Sequence, residues 1–480
     1  MLRHNSYPRS RAVKGMDQIP TLWLISFVLH AGISHTYFMS SVSQVEQAMQ
    51  SVFSQANAIA RQTGFVQRAS KLTGERFVQT LVLAWLKDPQ ATREALAQMA
   101  ASLGVSITPQ GLSDRFSQSA ATLLHQILEQ AVGHVIAADP VAIPLLRRFS
   151  AIVLLDSTVV VLPNELAPVW RGCGGRTEEN SQASVKLQVG LDLLGGELQG
   201  PYLSDGRAHD AGCPLQKTAL PQGALRLTDL GYFSLEVFRQ QAEQEAYFLS
   251  RLEAGTAVFD SEQERLDLLT YLQEHGPSVD ACVELGVHHR LPVRLLAVRV
   301  SEALANERRR KLRAEARRKG QTVSKVRLAL AEWTIYVTNV PSDLLSLDEA
   351  LILARARWQI ELLFKLWKQQ GQIDEWRSHK PWAILCEVYA KLIAMVFQHW
   401  LLLLGCWQFP DRSLVKASQA VRTFAPLLTS ALSGLASLSA VLERLQAILQ
   451  RCRSRINPRK THPNTYQRLL ALDPPNAKAA

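Results

Sequence analysis

No CxxC pair occurs in this 480-residue chain, and its six cysteines (Cys173, Cys213, Cys282, Cys386, Cys406 and Cys452) are scattered. That spacing supplies neither a disulfide scaffold nor a zinc site, and a reducing cytoplasm is the simplest setting for it. A P-loop is also missing: Gly172-Cys173-Gly174-Gly175-Arg176 is glycine-rich but lacks the Lys-Ser/Thr that would follow. There is no internal repeat. An uninterrupted apolar run of bilayer length is missing too. Residues 20–33 follow a basic start and mimic a signal peptide, yet they are too short to span a membrane and have a poor cleavage region. Met39 reads as the true start, with residues 1–38 an upstream extension. The stretch from Val388 to Leu404 is interrupted by Lys391, Gln398 and His399, which predicts a buried core helix. Acidic residues are the scarcer charge, 42 against 53 Lys plus Arg, leaving a net charge of +11. Such an excess suggests a polyanionic partner, nucleic acid foremost.

What is present falls into blocks. Residues 42 to 145 carry apolar residues at helical spacing in Val45–Ile59, Phe77–Leu86 and Thr122–Ile136. Between them a helix over Ala91–Leu103 stops at Gly104, and Thr108-Pro109 starts another, Thr108 as N-cap. A helix, a glycine turn and a second helix bearing Gln110, Ser113 and Arg115 fit a DNA-reading helix-turn-helix, and fit an ordinary helical hairpin equally. After Pro140 strands take over. Ala151–Leu155 is an apolar strand ending in Asp156, and Val185–Leu194 turns through Gly195-Gly196 into a hairpin. A helix fits Ala211–Thr218, and Ala224–Thr228 is a strand ending in Asp229. A helix from Ser234 and a strand over Glu245–Arg251 follow. This order predicts an α/β fold, an RNase H-like mixed sheet.

The pattern breaks from 252 to 332, with antiparallel strands at Val279–Leu285 and Leu291–Val300 and a charged helix over Ser301–Gly320. We read this region as a β-rich insertion with a basic helix. Trp333–Val340 returns to strand, and Ser346-Leu347-Asp348-Glu349 has capping-box spacing. The expected layout is therefore an unassigned extension (1–38) and an all-helical N-terminal DNA-binding domain (39–145). A first catalytic part (146–251), the insertion (252–332) and a second catalytic part (333–405) follow. A helical C-terminal region with a basic tail (406–480) completes it.

The chemistry centres on Arg357-Trp358-Gln359-Ile360-Glu361-Leu362-Leu363-Phe364-Lys365-Leu366-Trp367-Lys368. As one helix it aligns Arg357, Glu361, Lys365 and Lys368 in a narrow charged stripe between hydrophobes. A partly buried amphipathic helix with Glu-to-Lys pairing accounts for that pattern, and so does a carboxylate delivered to a cleft beside phosphate-holding cations. Asp156 and Asp229, at strand ends where packing explains a carboxylate poorly, favour the second. Two such aspartates and a helical Glu361 form an oxygen-only set suited to two Mg²⁺ ions. His209-Asp210 fits either an approach to those ions or a helix cap, and Lys186 fits a DNA contact or an exposed strand lysine.

These segments resemble the DDE transposases of bacterial insertion sequences, in the IS-four group that includes the Tn-five transposase. That group carries a Tyr-x2-Arg-x3-Glu-x6-Lys motif, which Arg357, Glu361 and Lys368 match while Ala354 stands at the tyrosine position. Leu155-Asp156-Ser157-Thr158, Thr228-Asp229-Leu230-Gly231-Tyr232 and Tyr247-Phe248-Leu249-Ser250-Arg251 extend the likeness, as does the insertion. The resemblance implies Asp156, Asp229 and Glu361 as catalytic metal ligands, two Mg²⁺ ions (Mn²⁺ as a substitute), and DNA contacts by Arg357, Lys365 and Lys368. It also implies that Trp333 stacks on a flipped base, a position that a core tryptophan at the start of a strand accounts for equally. It further implies cleavage at transposon ends through a hairpin, strand transfer into target DNA, and a homodimeric synaptic complex in the cytoplasm, nucleoid-associated and without a membrane. A nuclease of the same fold and a catalytically inactive DNA-binding or repressor derivative are the competing readings.

Overall fold

The computed structural model describes residues 40–174, 182–409, 411–451 and 465–472. The proposed extension 1–38, Gly175 and Arg176 of the glycine-rich loop, and most of the basic tail lie outside the described residues. Five helices open the described chain: Ser41–Gln62, Gly74–Lys87, Arg93–Ser102, Pro109–Ser113 and Gln118–Val132. Each begins on a hydroxyl residue (Ser40, Thr73, Thr92, Thr108 and Ser117) whose side chain accepts a first-turn backbone N–H. Those caps satisfy donors that a helix start otherwise leaves orphaned. The helix-turn-helix expectation is corrected here. The Thr108-capped helix is five residues long, Arg115 lies beyond its end, and Ser113 is buried. A helix of little more than one turn has no face on which to present three readers to a groove.

A nine-stranded mixed sheet follows. Its strands are β1 (Ile152–Leu162), β2 (Ala183–Asp192), β3 (Leu198–Asp205), β4 (Leu225–Thr228), β5 (Tyr247–Arg251), β6 (Val258–Phe259), β7 (Ser278–Leu285), β8 (Leu291–Arg299) and β9 (Trp333–Thr338). Across the sheet they run β3-β2-β1-β4-β5-β9-β8-β7-β6. β1 is parallel to β4 and β4 to β5, while the other neighbours are antiparallel. The β-rich region from 252 to 332 thus extends the same sheet, because β8 pairs with β9 along six residues. One sequence expectation shifts: β1 does not stop before Asp156 but continues through it to Leu162, paired throughout with β2. Val159, Val160 and Val161, all β-branched, favour that continuation.

The largest core joins the N-terminal helices, one face of β1–β4, and the helices Trp358–Lys365, Pro381–Leu403, Leu414–Leu432 and Leu438–Arg451. A separate cluster built from Phe238, Phe248, Val283, Leu295, Trp333 and Val337 lies around the insertion strands. The Pro381–Leu403 helix is long and apolar enough to cross a membrane by length and composition, but its apolar window is wholly buried inside the protein. Two of its buried polar residues, Lys391 and His399, find partners, whereas the Gln398 Oε1 has none among the described residues. Lys391 pairs with Glu387 at 2.8 Å and donates to the carbonyls of Gln372 (3.1 Å) and Glu375 (2.8 Å). His399 Nε2 lies 2.7 Å from the Gly196 carbonyl, so that nitrogen carries the proton. Gly196 itself has φ +77°, and a Cβ there would come within 2.5 Å of Leu403 and 2.7 Å of Trp407. The hairpin turn between β2 and β3 is therefore pressed against this helix where no side chain fits.

Burial drives the His399 pKa down from 6.5 to about 4, with the Gly196 hydrogen bond opposing only in part. Neutral His399 thus contributes stability above pH 6.5 that is lost as pH falls toward 4, on the order of 3 kcal/mol. Urea unfolding across that range should show this acid-side loss, and His399→Gln should remove it. An unchanged pH slope in the variant would refute the assignment.

Candidate active site

The positions of Asp156 and Asp229 follow from register. β1 and β4 pair in parallel at Ile152↔Leu225, Val153↔Arg226 and Leu154↔Leu227. Asp156 and Asp229 each stand two residues beyond the last of these pairs. Alternation therefore sets both carboxylates at one level, on the face that Leu154 and Leu227 share. Both leucines belong to the large core, and the Trp358–Lys365 helix packs over β1 on that side through Ile360, Leu363 and Phe364. Glu361 lies on that helix.

The expected single helix from Arg357 to Lys368 is three kinds of turn in succession. A tight 3-10 turn (Ala354–Arg357) leads into the α-helix Trp358–Lys365, and a π turn (Leu366–Gln370) ends it. The capping box on Ser346 starts the preceding helix, Leu347–Leu353, as expected. The wider π turn divides the charged stripe. Arg357 pairs with Glu361 (Nη2 to Oε1, 2.8 Å) and reaches across to Asp156 (Nη1 to Oδ2, 3.1 Å). Lys365 is exposed, its Nζ 4.6 Å from the centre of the Trp358 ring. Lys368 donates to the Val159 carbonyl of β1 at 3.0 Å. The expected Glu-to-Lys pairing is thus replaced by Arg357–Glu361.

One guanidinium therefore lies among three carboxylates. Burial disfavours the charge on Arg357, but the combined field of Asp229, Asp156 and Glu361 outweighs it and raises its pKa. Asp156 shifts in the unfavourable sense. Its burial raises the pKa against the Ser157 N–H (2.8 Å) and Arg357, while Glu361 and Asp229 push the same way as burial. Among the described residues no three His, Cys, Asp or Glu side chains form a ready-made metal cage. The donor set still suits a hard divalent cation, because all three groups are carboxylates and already gather around a positive charge.

A cleft of about 440 Å³ opens beside Asp229, lined also by Arg251, Tyr336, Ala354, Arg355, Arg357 and Trp358. Ala354 forms part of its wall, and Tyr336 and Trp358 supply its aromatic surface. Trp333 is 6% exposed and packs in the insertion core with Phe248 and Val337, as a core tryptophan at a strand start does, and it also lines a second cleft with Arg308 and Lys311. Trp333, Ile335 and Val337 share one face of β9 while Tyr336 turns to the other. Sequence reasoning passed over Tyr336 and Arg355 and named Arg251 only within the family-like segment, though alternation along β9 could have found Tyr336. Lys186 is not an exposed strand lysine but is buried, paired to Asp210 at 3.0 Å. On the basic helix Glu302–Arg318, Arg309 pairs with Glu332 and Lys311 with Glu307.

Because its pKa is raised, ionised Asp156 costs stability at neutral pH, and the cost is relieved as pH falls through that pKa. In metal-free buffer Asp156→Asn should melt about 1–3 °C above the wild type near pH 7. The two should converge in acid. A variant melting lower than wild type at neutral pH would show that the carboxylate is held by its partners and not imposed on the fold.

Comparison with known proteins agrees with this geometry. The family described as "Transposase DDE domain" matches residues 147–397, a span that contains Asp156, Asp229 and Glu361. The transposase for insertion sequence element IS231B of Bacillus thuringiensis subsp. berliner is 28% identical over 449 residues, covering 86% of this chain and 91% of that protein. The transposase for IS231F of Bacillus thuringiensis subsp. israelensis is 27% identical over 446 residues (86% and 91%). The transposase for IS1151 of Clostridium perfringens is 23% identical over 368 residues (71% and 76%). With a match spanning more than half its length, the chain belongs to the DDE transposases of insertion sequences.

Proposed function

We propose that this transposase cleaves DNA at the ends of its element and joins the freed ends to target DNA, with Asp156, Asp229 and Glu361 as its catalytic carboxylates. The observation that carries the reading is the convergence of the three on Arg357, two of them through direct ion pairs. An RNase H-like arrangement of β1 to β5 is the fold detail that accompanies it, supported by the strand order and by the parallel pairing of β1 with β4 and of β4 with β5. Membership of the IS-four group belongs to the same proposal, resting on the Arg357, Glu361 and Lys368 spacing with Ala354 as its departure.

Asp156, Asp229 and Glu361 would hold two divalent ions, Mg²⁺ or Mn²⁺, which would lower the pKa of the attacking water or 3′-hydroxyl and stabilise the leaving oxygen. Before DNA arrives, Arg357 keeps the acids from repelling one another apart. Its planar fork suits a phosphate as well as a carboxylate, so an incoming phosphodiester competes for it and releases the acids. Lys368, braced on Val159, sets the helix against β1 and keeps Glu361 level with Asp156. Arg355 and Arg251 line the cleft next to Asp229 and offer charge to the strand leaving the site, with Trp358 and Tyr336 as stacking surfaces.

Double-stranded DNA, as element end and as target, is the proposed partner, and the net charge of +11 supports it. A homodimer bridging two ends, a hairpin intermediate, a DNA-binding role for the helices of 39–145 and a nucleoid-associated cytoplasmic location complete the reading. The test is incubation of the protein with a labelled duplex carrying the element's own ends and Mg²⁺. Wild type should nick and form hairpins, and Asp156→Ala or Glu361→Gln should lower this about a thousandfold or more with end binding retained. Cleavage without joining to an added plasmid would indicate a nuclease. Binding without any strand breakage would indicate an inactive derivative.

A further inference from the structure

Behind the strand that bears Asp156 lies a second set of polar contacts that the proposed reaction does not use. Ser157, next to Asp156, points to the opposite face of β1 and donates its hydroxyl to Asp210 Oδ1 at 2.8 Å. That oxygen also pairs with Lys186 Nζ of β2 at 3.0 Å, and Lys186 donates further to the Ala208 carbonyl. The other carboxylate oxygen of Asp210 faces the turn that follows Asp229. A Cβ at Gly231 would lie 3.1 Å from Asp210 Oδ2, so a larger residue would press the turn and the carboxylate apart by a few tenths of an ångström. Tyr232, one residue on, is buried in the same back-face cluster and feels the charge of Asp210.

Asp210 thus bonds β1 through Ser157 and lies close behind the Asp229–Tyr232 turn at Gly231, while Lys186 neutralises it. We propose that Asp210, fixed by Lys186, is a positioning residue that holds Asp156 and Asp229 at a common level by clamping Ser157 and the Gly231 turn from behind the sheet. It touches no substrate and acts through its neighbours. The inference rests on the transposase reading of the front face. It goes beyond that reading by giving the His209-Asp210 segment a role that is neither metal ligation nor helix capping.

The discriminating pair is Ser157→Ala against Ser157→Thr, because threonine keeps the hydroxyl and suits a strand. Two measurements accompany each variant: kcat and KM for nicking of the end duplex, and the Mn²⁺ concentration that half-saturates thermal stabilisation of the DNA-free protein. Ser157→Ala should lower kcat about tenfold with little change in KM, and should raise the Mn²⁺ midpoint severalfold. Ser157→Thr should restore both. Asp210→Asn, which keeps an acceptor but loses the Lys186 pair, should fall on the same side as Ser157→Ala. Wild-type values in Ser157→Ala, or equal losses in the alanine and threonine variants, would overturn the clamp. If wild type itself neither nicks DNA nor responds to Mn²⁺, it is the reading of the front face that fails, and the two failures are distinguishable.

Discussion

Everything at the front of this site depends on keeping three like charges together, and a single guanidinium does it. Arg357 spans Asp156 and Glu361, and the field of Asp229 adds to its hold. It can do so because the short 3-10 turn before the helix sets its side chain one turn ahead of Glu361. The cluster is thereby pre-assembled at modest cost, since each acid keeps part of a counter-charge in a partly buried place. It is also replaceable, because anything more strongly cationic among the acids, or a phosphate drawing the guanidinium away, removes the reason for the present arrangement.

Backbone register is the deeper constraint. Two parallel strands that stop pairing at Leu154 and Leu227 leave the next outward residues of one face, Asp156 and Asp229, at one level. No side-chain contact is needed to bring them there. The third acid needs packing: Ile360, Leu363 and Phe364 seat their helix on the same face, and Lys368 ties its far end to β1. Strand pairing places two acids, hydrophobic burial places the third, and a cation holds the result.

How much of this was legible in the sequence varies with the physics. Helix starts were readable wherever a hydroxyl preceded an apolar period, as at Thr108 and Ser346, because capping is local. Asp229 at a strand end and the hairpin through Gly195-Gly196 were readable for the same reason. The continuation of β1 past Asp156 was not, because a polar Asp-Ser-Thr looks like a terminus until pairing with β2 is known. Lys186 and Asp210, distant in sequence, gave no hint that each buried the other. The π turn that divides the charged stripe depends on packing around Leu366 and Trp367, both buried, and helical periodicity alone assumes it away.

The sharing of one core has a consequence for the history of the element that encodes such a chain. The N-terminal helices Ser41–Gln62, Gly74–Lys87 and Gln118–Val132 pack on Pro381–Leu403, which lies far along the sequence. A copy truncated before that helix leaves their apolar faces without a partner. Decayed copies of the gene would then encode chains fit for proteolysis, not shortened proteins that compete for the ends. An architecture that closes only when its last third arrives lets the element shed damaged copies without leaving behind its own inhibitors.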